Sequence, residues 1–292
     1  MLYFYRTTNI CALRIDSHHH FWTIGRYAMP WMEDEALHRI RKSFTPQDLQ
    51  ALVNEHHVDQ TVLVQTISSV DETRWFLEIA DEVDFVGGVV GWVDLTDSRV
   101  GEVLDDLVQS PYLVGIRHQV HDEPDTNWLA RDDVQRGLRE VARRGLVYDL
   151  LIRPSHLDVS CQIAQELDEL SFAVDHIAKP AISQRGWDDW AGPIEKLAQF
   201  PNVSCKISGM IEEANWSSWK PSDFAPYIEH VIQAFGTERV LFGSNWPVSD
   251  LAGTYGQVIE VVETNTTNLS EAERQRLFGE NAVRLYKFGR VT

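Results

Sequence analysis

Short hydrophobic runs alternate with amphipathic segments along almost the whole chain. The runs are rich in Val, Ile and Leu, and the segments between them carry apolar residues at helical spacing. Continuous short apolar runs are typical of parallel strands that are buried on both faces. We predict strands at 14–22, 60–65, 85–93, 113–119, 146–152, 172–176, 202–208 and 239–245. We predict helices at 45–57, 69–84, 98–109, 132–144, 156–169 and 270–286.

This alternation predicts one α/β fold, a closed (β/α)8 or TIM barrel. Strands that alternate with helices favour a parallel sheet, and about eight such units in 292 residues fit a barrel. An open doubly wound sheet is the alternative, but the Gly-x-Gly-x-x-Gly turn typical of it does not follow the first strand. We therefore predict an N-terminal extension at 1–13 and a single barrel domain at 14–292.

Composition and charge exclude several classes of protein. Hydrophobic residues make up 43% of the chain, enough to fill a large core, and the formal net charge is −18. Such an acidic surface repels the phosphates of nucleic acids and of anionic membranes, so we expect neither as a partner. The three cysteines are widely spaced and form no Cys-x-x-Cys pair. No apolar run is long enough to span a membrane, and the start of the chain is unlike a signal peptide. Together with the spacing of the cysteines, these features lead us to expect the reducing cytoplasm.

The first predicted strand ends in an acid followed by three imidazoles, Asp16 to His20 with Ser17 between. Alternate residues of a strand share a face, so His18 and His20 point one way and His19 the other. Two imidazoles on one face can hold a divalent cation or grip one carbonyl oxygen. For an isolated His-x-His pair, a polar strand terminus is the plainer interpretation. The residues at the ends of the other predicted strands therefore decide whether these histidines are functional.

Most of the other predicted strands also end in polar or aromatic side chains. Working residues of barrels lie at these ends, and more than half of the eleven histidines do so here. A lone His118 or His156 would still be better explained as structural. The strand-end residues are Trp92, Asp94, Arg117, His118, Gln119, His121, Arg153, His156, His176, Lys179, Lys206, Asn245 and Trp246.

Six ordered segments carry a family resemblance: DSHHHFW at 16–22, GWVDL at 91–95, GIRHQ at 115–119, DHIAKP at 175–180, CKISG at 205–209 and FGSNWPV at 242–248. This pattern resembles the TIM-barrel amidohydrolase superfamily, in its amidohydrolase 2 branch of sugar-acid lactonases. Within that branch the likeness is to the L-fuconolactonase and L-rhamnonolactonase type. It covers nearly the whole chain, from 14 to 286.

The resemblance implies hydrolysis of an aldonolactone, such as L-fuconolactone, to the open acid. It also implies that His18, His20 and His176 occupy the positions that bind zinc or a similar ion in the superfamily. Several members of the branch bind metal weakly or work without it, so the metal stays open. The family's acid at the end of the eighth strand falls at position 245, where this chain has Asn245.

An amide at position 245 has neither a negative charge for a metal nor a lone pair basic enough to activate water. Three interpretations follow. Asn245 is a natural variant in a metal-free enzyme, in which His176 or another imidazole takes the proton. It is an introduced change that blocks turnover. Or the chain is a non-catalytic barrel that binds sugar acids.

Opening a lactone requires water at the carbonyl carbon and stabilisation of the oxyanion. We assign these catalytic tasks to His18, His20, His176 and Asn245. Arg117 is equally well explained as the partner of an internal carboxylate. An alternative substrate is a dicarboxylate lactone from aromatic catabolism, which two or more arginines at the pocket would favour. A homo-oligomer is compatible with the sequence. The predicted contacts to the sugar lactone are Trp31, Trp92, Arg117, His118, Gln119, Lys206 and Trp246.

Overall fold

Eight parallel strands pair in the order of the sequence in a computed structural model that describes residues 13–288. Backbone hydrogen bonds also join the last strand to the first, from Asn245 N to His18 O (2.8 Å) and from His20 N to Trp246 O (2.7 Å). The predicted (β/α)8 barrel is confirmed. The strands are β1 (Ile15–His19), β2 (Gln60–Val64), β3 (Val86–Gly91), β4 (Leu113–His118), β5 (Val147–Leu150), β6 (Ser171–Val174), β7 (Val203–Ile207) and β8 (Val240–Phe242).

Helices follow the strands and cover the barrel. They are α1 (Pro46–Glu55), α2 (Val70–Glu82), α3 (Val100–Leu107), α4 (Asp132–Arg143), α5 (Leu157–Glu166), α6 (Ala191–Ala198), α7 (Ala225–Phe235), α8 (Tyr255–Thr264), α9 (Glu271–Gln275) and α10 (Asn281–Tyr286). A π-helical turn at Arg276–Glu280 separates α9 from α10, within the single helix predicted at 270–286. The sequence analysis assigned no helix to the ranges of α6, α7 and α8.

The core has two layers. The larger layer fills the space between the strands and the helices. The smaller lies inside the barrel, where Val62, Val90 and Leu241 meet, and Tyr286 and Phe288 pack against it. Apolar side chains therefore fill one end of the barrel interior and leave the carboxyl ends of the strands for polar groups.

The histidines of β1 keep the alternating directions of a strand although the pairing of this strand is irregular. The pairing of β1 with β2 shifts register between Asp16 and His19. His19 bonds Thr61 Oγ1 (2.8 Å) in the outer layer, whereas His18 contacts Arg117 inside the barrel. The alternation predicted for His18, His19 and His20 thus holds past the irregularity.

No helix among residues 13–288 is long and apolar enough to cross a membrane. Of the predicted extension at 1–13, all but Leu13 lies outside the described residues. The division into an extension and one domain at 14–292 stays a prediction.

Candidate active site

Three histidines that are distant in sequence meet at the carboxyl ends of the strands. His18 Nε2 lies 3.2 Å from His20 Nε2, and the ring centres of His18 and His176 are 4.4 Å apart. All three side chains are buried. We call the group formed by His18, His20, Asp175 and His176 the floor of the site.

The tautomer of His20 is fixed by its surroundings. Its Nδ1–H donates to Val64 O at 2.7 Å, so Nε2 carries the free lone pair toward His18. Burial, and secondarily the charge of Arg117, lowers the pKa of His20 to about 3. Burial also holds the pKa values of His18 and His176 well below the usual range for histidine. The floor therefore presents neutral imidazoles at neutral pH.

Asp175 is the residue that holds the floor together, and the sequence analysis did not select it. Its carboxylate lies 3.2 Å from His18 Nδ1, 3.1 Å from Arg117 Nη1 and 2.9 Å from Lys206 Nζ. Burial opposes ionisation, but Lys206, His18 and Arg117 hold the pKa of Asp175 well below its usual range. Asp175 is thus a buried carboxylate that orients His18.

Asp175 and His176 both face the interior because the backbone turns between them. A run of residues from His176 to Lys179 has positive φ, 53° at His176 and 51° at Lys179. Non-glycine residues rarely adopt this region, and such strain concentrates at functional sites. The extended conformation predicted for 172–176 ends at Val174.

Lys206 lies beneath the histidines rather than at the mouth of the barrel. Its side chain is fully buried and pairs with Asp149 and Asp175. Its Nζ is 3.3 Å from His18 Nδ1. This placement does not support the predicted contact with substrate. Lys206 acts on the site through Asp175 and His18.

Arg117 is also occupied by internal partners. Besides Asp175, its guanidinium donates to Gln65 O and approaches His18 Nε2 at 3.3 Å. The pairing with an internal carboxylate is therefore present, and Arg117 contributes positive potential next to His18.

Asn245 stands at the end of β8 with a left-handed backbone, φ 55°. Its side chain lies beside His20 and raises the pKa of that imidazole, and its Nδ2 donates to Glu212 Oε1 at 2.8 Å. Glu212 lies in a 3-10 turn after β7 and was not selected from the sequence. The neighbouring Trp246 is buried and packs edge-on against Phe44, so it supports the site from behind.

Aromatic residues at the ends of β3 and β4 form a wall beside the floor. Trp92 Nε1 donates to His118 Nδ1 at 3.0 Å, and His118 Nε2 lies 2.7 Å from Glu123 Oε1. The His118 ring stacks on Trp128 with ring centres 4.2 Å apart. Both nitrogens of His118 are occupied, so it positions Trp92. We call Trp92, His118, Glu123 and Trp128 the aromatic wall.

Two further predicted substrate contacts are Gln119, which follows His118 of the aromatic wall, and Trp31, in the loop after β1. Gln119 Nε2 donates to Thr66 O at 3.1 Å, and its amide also pairs with Gln65. Trp31 is partly buried against Trp22, and its Nε1 is buried without a hydrogen-bond partner within residues 13–288. An uncommitted indole N–H of this kind can donate to a sugar hydroxyl.

The floor fits a zinc-type ion. His18, Asp175 and His176 each bring a donor atom within 4.8 Å of the others. Two nitrogens of a tetrahedral zinc site lie about 3.3 Å apart, close to the 3.2 Å between His18 and His20. Partners behind the ligands, such as Ser208 Oγ at 2.9 Å from His176 Nδ1, are typical of metal sites. Asp175 adds the negative charge that the predicted set of His18, His20 and His176 lacked.

Comparisons with known proteins identify relatives over nearly the whole chain. A family model described as amidohydrolase matches residues 15–288. The chain is 33% identical over 287 residues to L-fucono-1,5-lactonase of Burkholderia ambifaria, covering 96% of this chain and 97% of that protein. It is 34% identical to L-fucono-1,5-lactonase of Burkholderia multivorans, covering 94% and 96%.

A solved structure has the same fold over almost the whole chain. It is the crystal structure of an amidohydrolase from Burkholderia multivorans with bound zinc, at a TM-score of 0.90 and 33% identity. The match covers 95% of this chain and all of that chain.

Proposed function

The chain belongs to the amidohydrolase family, and from that premise we propose that it hydrolyses a sugar-acid lactone to the open aldonic acid. The observation that carries this proposal is the floor, where His18, His20 and His176 converge on one buried acid, Asp175. The two L-fucono-1,5-lactonases that resemble the chain over nearly its full length make a deoxysugar aldonolactone the preferred substrate.

The floor has the electrostatics that ester hydrolysis needs. Water attacks the lactone carbonyl, and negative charge develops on the carbonyl oxygen. His20 donates through Nδ1 and keeps only a lone pair on Nε2, so it does not donate to that oxygen, whereas Arg117, 3.3 Å from His18, adds positive potential there. Asp175 holds His18 through Nδ1 and so fixes which nitrogen faces the substrate.

A divalent ion held by His18, Asp175 and His176, with His20 adjacent, would supply Lewis-acid polarisation of the carbonyl. The side chains supply the rest of the site. Trp92 offers a flat face for the sugar ring, and Trp31 offers an uncommitted donor for a hydroxyl group.

The side chains favour a polyol lactone over a dicarboxylate. Arginine guanidinium groups recognise carboxylates in pairs of parallel bonds. Arg117, which lies beside the floor, is already bonded to Asp175 and Gln65. Asn245, at the position of the family's acid, is the residue that would favour a barrel that only binds sugar acids. An assay of lactone hydrolysis distinguishes such a barrel from an enzyme.

We propose the cytoplasm as the location of the protein. A homo-oligomer stays a prediction.

A pH-indicator assay over six- and five-membered aldonolactones tests the proposal. We expect acid release above the spontaneous rate for a deoxysugar lactone, and its loss in His18→Ala. Repeating the assay after chelation, and again after zinc is restored, shows how much of the rate depends on metal. Binding of lactones without any acid release would favour the non-catalytic barrel and contradict the lactonase.

A further inference from the structure

A carboxylate from another element lies against the position where the family's acid is missing. Glu212, in the loop after β7, accepts a hydrogen bond from Asn245 Nδ2 at 2.8 Å on its Oε1. Asn245 in turn lies beside His20, so Glu212 is one side chain away from the floor. The site therefore contains a carboxylate near position 245 that the strand-end residues did not reveal.

The second oxygen of Glu212 is not committed. Its Oε2 is buried and has no hydrogen-bond partner among residues 13–288. A buried acceptor without a partner is costly, and it persists where a proton, a water or a ligand is meant to occupy it. Lys179, the nearby cation, is paired with Glu213 instead.

Glu72 shows what a purely structural buried glutamate looks like in the same chain. Its Oε1 accepts from Thr66 Oγ1, and its Oε2 accepts from the backbone N–H groups of Thr66 (2.8 Å) and Ile67 (3.1 Å). Both oxygens of Glu72 are thus satisfied. Burial raises the pKa of Glu72 and of Glu212 alike, to about 7. The difference between them lies in the free Oε2, which only Glu212 offers.

We propose that Glu212 is the general base of the lactonase, oriented by Asn245. This inference rests on the proposed function. A proton passes from water to Glu212 Oε2 as the water oxygen bonds to the carbonyl carbon. The tetrahedral oxyanion then collapses, the bond from that carbon to the ring oxygen breaks, and Glu212 returns the proton to the departing ring oxygen. Water and lactone become the hydroxy acid, with no further reactant.

The charges around Glu212 are compatible with this role. Lys179, from the loop after β6, favours its ionised form, whereas Glu213, the next residue of the same turn, opposes it, and Asn245 donates a hydrogen bond. A base with a pKa about 7 is partly ionised at neutral pH, the condition in which it takes and returns a proton efficiently.

Glu212→Gln is the first test, with Glu229→Gln, at an exposed position of α7, as the control. We expect Glu212→Gln to lower kcat by about 10²-fold or more with little change in KM, because general-base catalysis contributes that much. Glu229→Gln should keep kcat within about threefold. Melting temperatures close to wild type show that both variants fold; if Glu212→Gln does not fold, Glu212→Asp, which keeps the charge and retracts it, should show the same fall in kcat.

Moving the carboxylate is the second test. The double variant Glu212→Gln with Asn245→Asp places an acid one hydrogen bond away from position 212. Its kcat should be at least about tenfold higher than that of Glu212→Gln. A merely structural role for Glu212 predicts no such recovery. The inference is overturned if Glu212→Gln keeps kcat within about threefold, or if the double variant recovers nothing. An inactive wild type would instead contradict the proposed function itself.

Discussion

The floor and the aromatic wall use histidine in opposite ways. In the wall, both nitrogens of His118 have partners, Trp92 on one side and Glu123 on the other. In the floor, His20 has one partner, Val64 O, and its second nitrogen faces His18. Both histidines lie at the carboxyl end of a strand of the same barrel, so their position alone does not distinguish them.

The difference shows which histidine has capacity left for a ligand. A ring with two occupied nitrogens can only shape its surroundings, since a substrate would have to displace a hydrogen bond. A ring that is buried, neutral and bonded on one side keeps a lone pair or a proton for a metal or a carbonyl oxygen. Floor variants should therefore affect kcat, and wall variants should affect KM.

The largest expected effect on activity is that of Asp175→Asn. The amide removes the charge that faces Lys206 and Arg117 and releases His18 from its orientation. We expect kcat/KM to fall by about 10³-fold, as when a preorganised electrostatic group is lost. Steady-state kinetics with Asp122→Asn as the control, at an exposed acid, would check this. Activity within about threefold of wild type would show that the floor does not depend on Asp175.

Lys206→Met should cost stability more than any surface variant. It leaves Asp149 and Asp175 buried without their shared ammonium partner, and breaking a buried ion pair costs about 3–5 kcal/mol. Urea unfolding would measure the free energy of unfolding, with Lys196→Met on an exposed helix face as the control. An equal effect of the two variants would show that the buried ions contribute no net stability.

The loss in Lys206→Met should be smaller at pH 5 than at pH 8. Burial, against the opposing charge of Lys206, already raises the pKa of Asp149 to about 6. Removing Lys206 raises the pKa of Asp149 further. A carboxyl group whose pKa is higher in the folded state loses stability as the pH rises through that pKa, so protonation at pH 5 relieves the unpaired charge. A loss that does not change with pH would contradict this account of Asp149.

The eight strands could be predicted from the sequence because short apolar runs are distinctive. Three helices could not. In α8, Val258, Ile259, Val261 and Val262 have side chains that by themselves favour strands. The capping box of Thr254 and Gln257 and burial against the barrel make this segment a helix. Tertiary packing thus overrides the local preference.

The histidines of the site could be predicted, but its two acids could not. Side chains of neighbouring strand residues point to opposite faces, so selecting His176 argued against Asp175. Only the positive φ run from His176 onward brings both inside. Glu212 belongs to a loop, and no periodicity aligns a loop residue with the end of a different strand. A loop acid close to a missing strand-end acid is the signal that sequence reading could use.

Gly209→Ala tests whether the orientation of His176 matters. Gly209 has φ 57°, and a methyl group there would lie 2.4 Å from His176 Nδ1. The imidazole must move, and displacement of about 1 Å at a reacting group can cost about 10²-fold in rate. We expect such a fall in kcat/KM, while Gly192→Ala, whose methyl group meets nothing within 4 Å, leaves it unchanged. Full activity in Gly209→Ala would remove His176 from the reacting set.

The smallest expected effect is that of His118→Phe in the aromatic wall. Phenylalanine keeps the stacking on Trp128 but removes the acceptor for Trp92 Nε1. Without that acceptor, the Trp92 indole is held less firmly and binds the substrate and its transition state more weakly to the same extent. We therefore expect KM to rise about fivefold while kcat stays within about twofold of wild type. His230→Phe, whose ring lies among Trp187 and Trp190 away from the floor, is the control for loss of an imidazole. A fall in kcat with unchanged KM would place His118 among the reacting groups and remove the distinction between wall and floor.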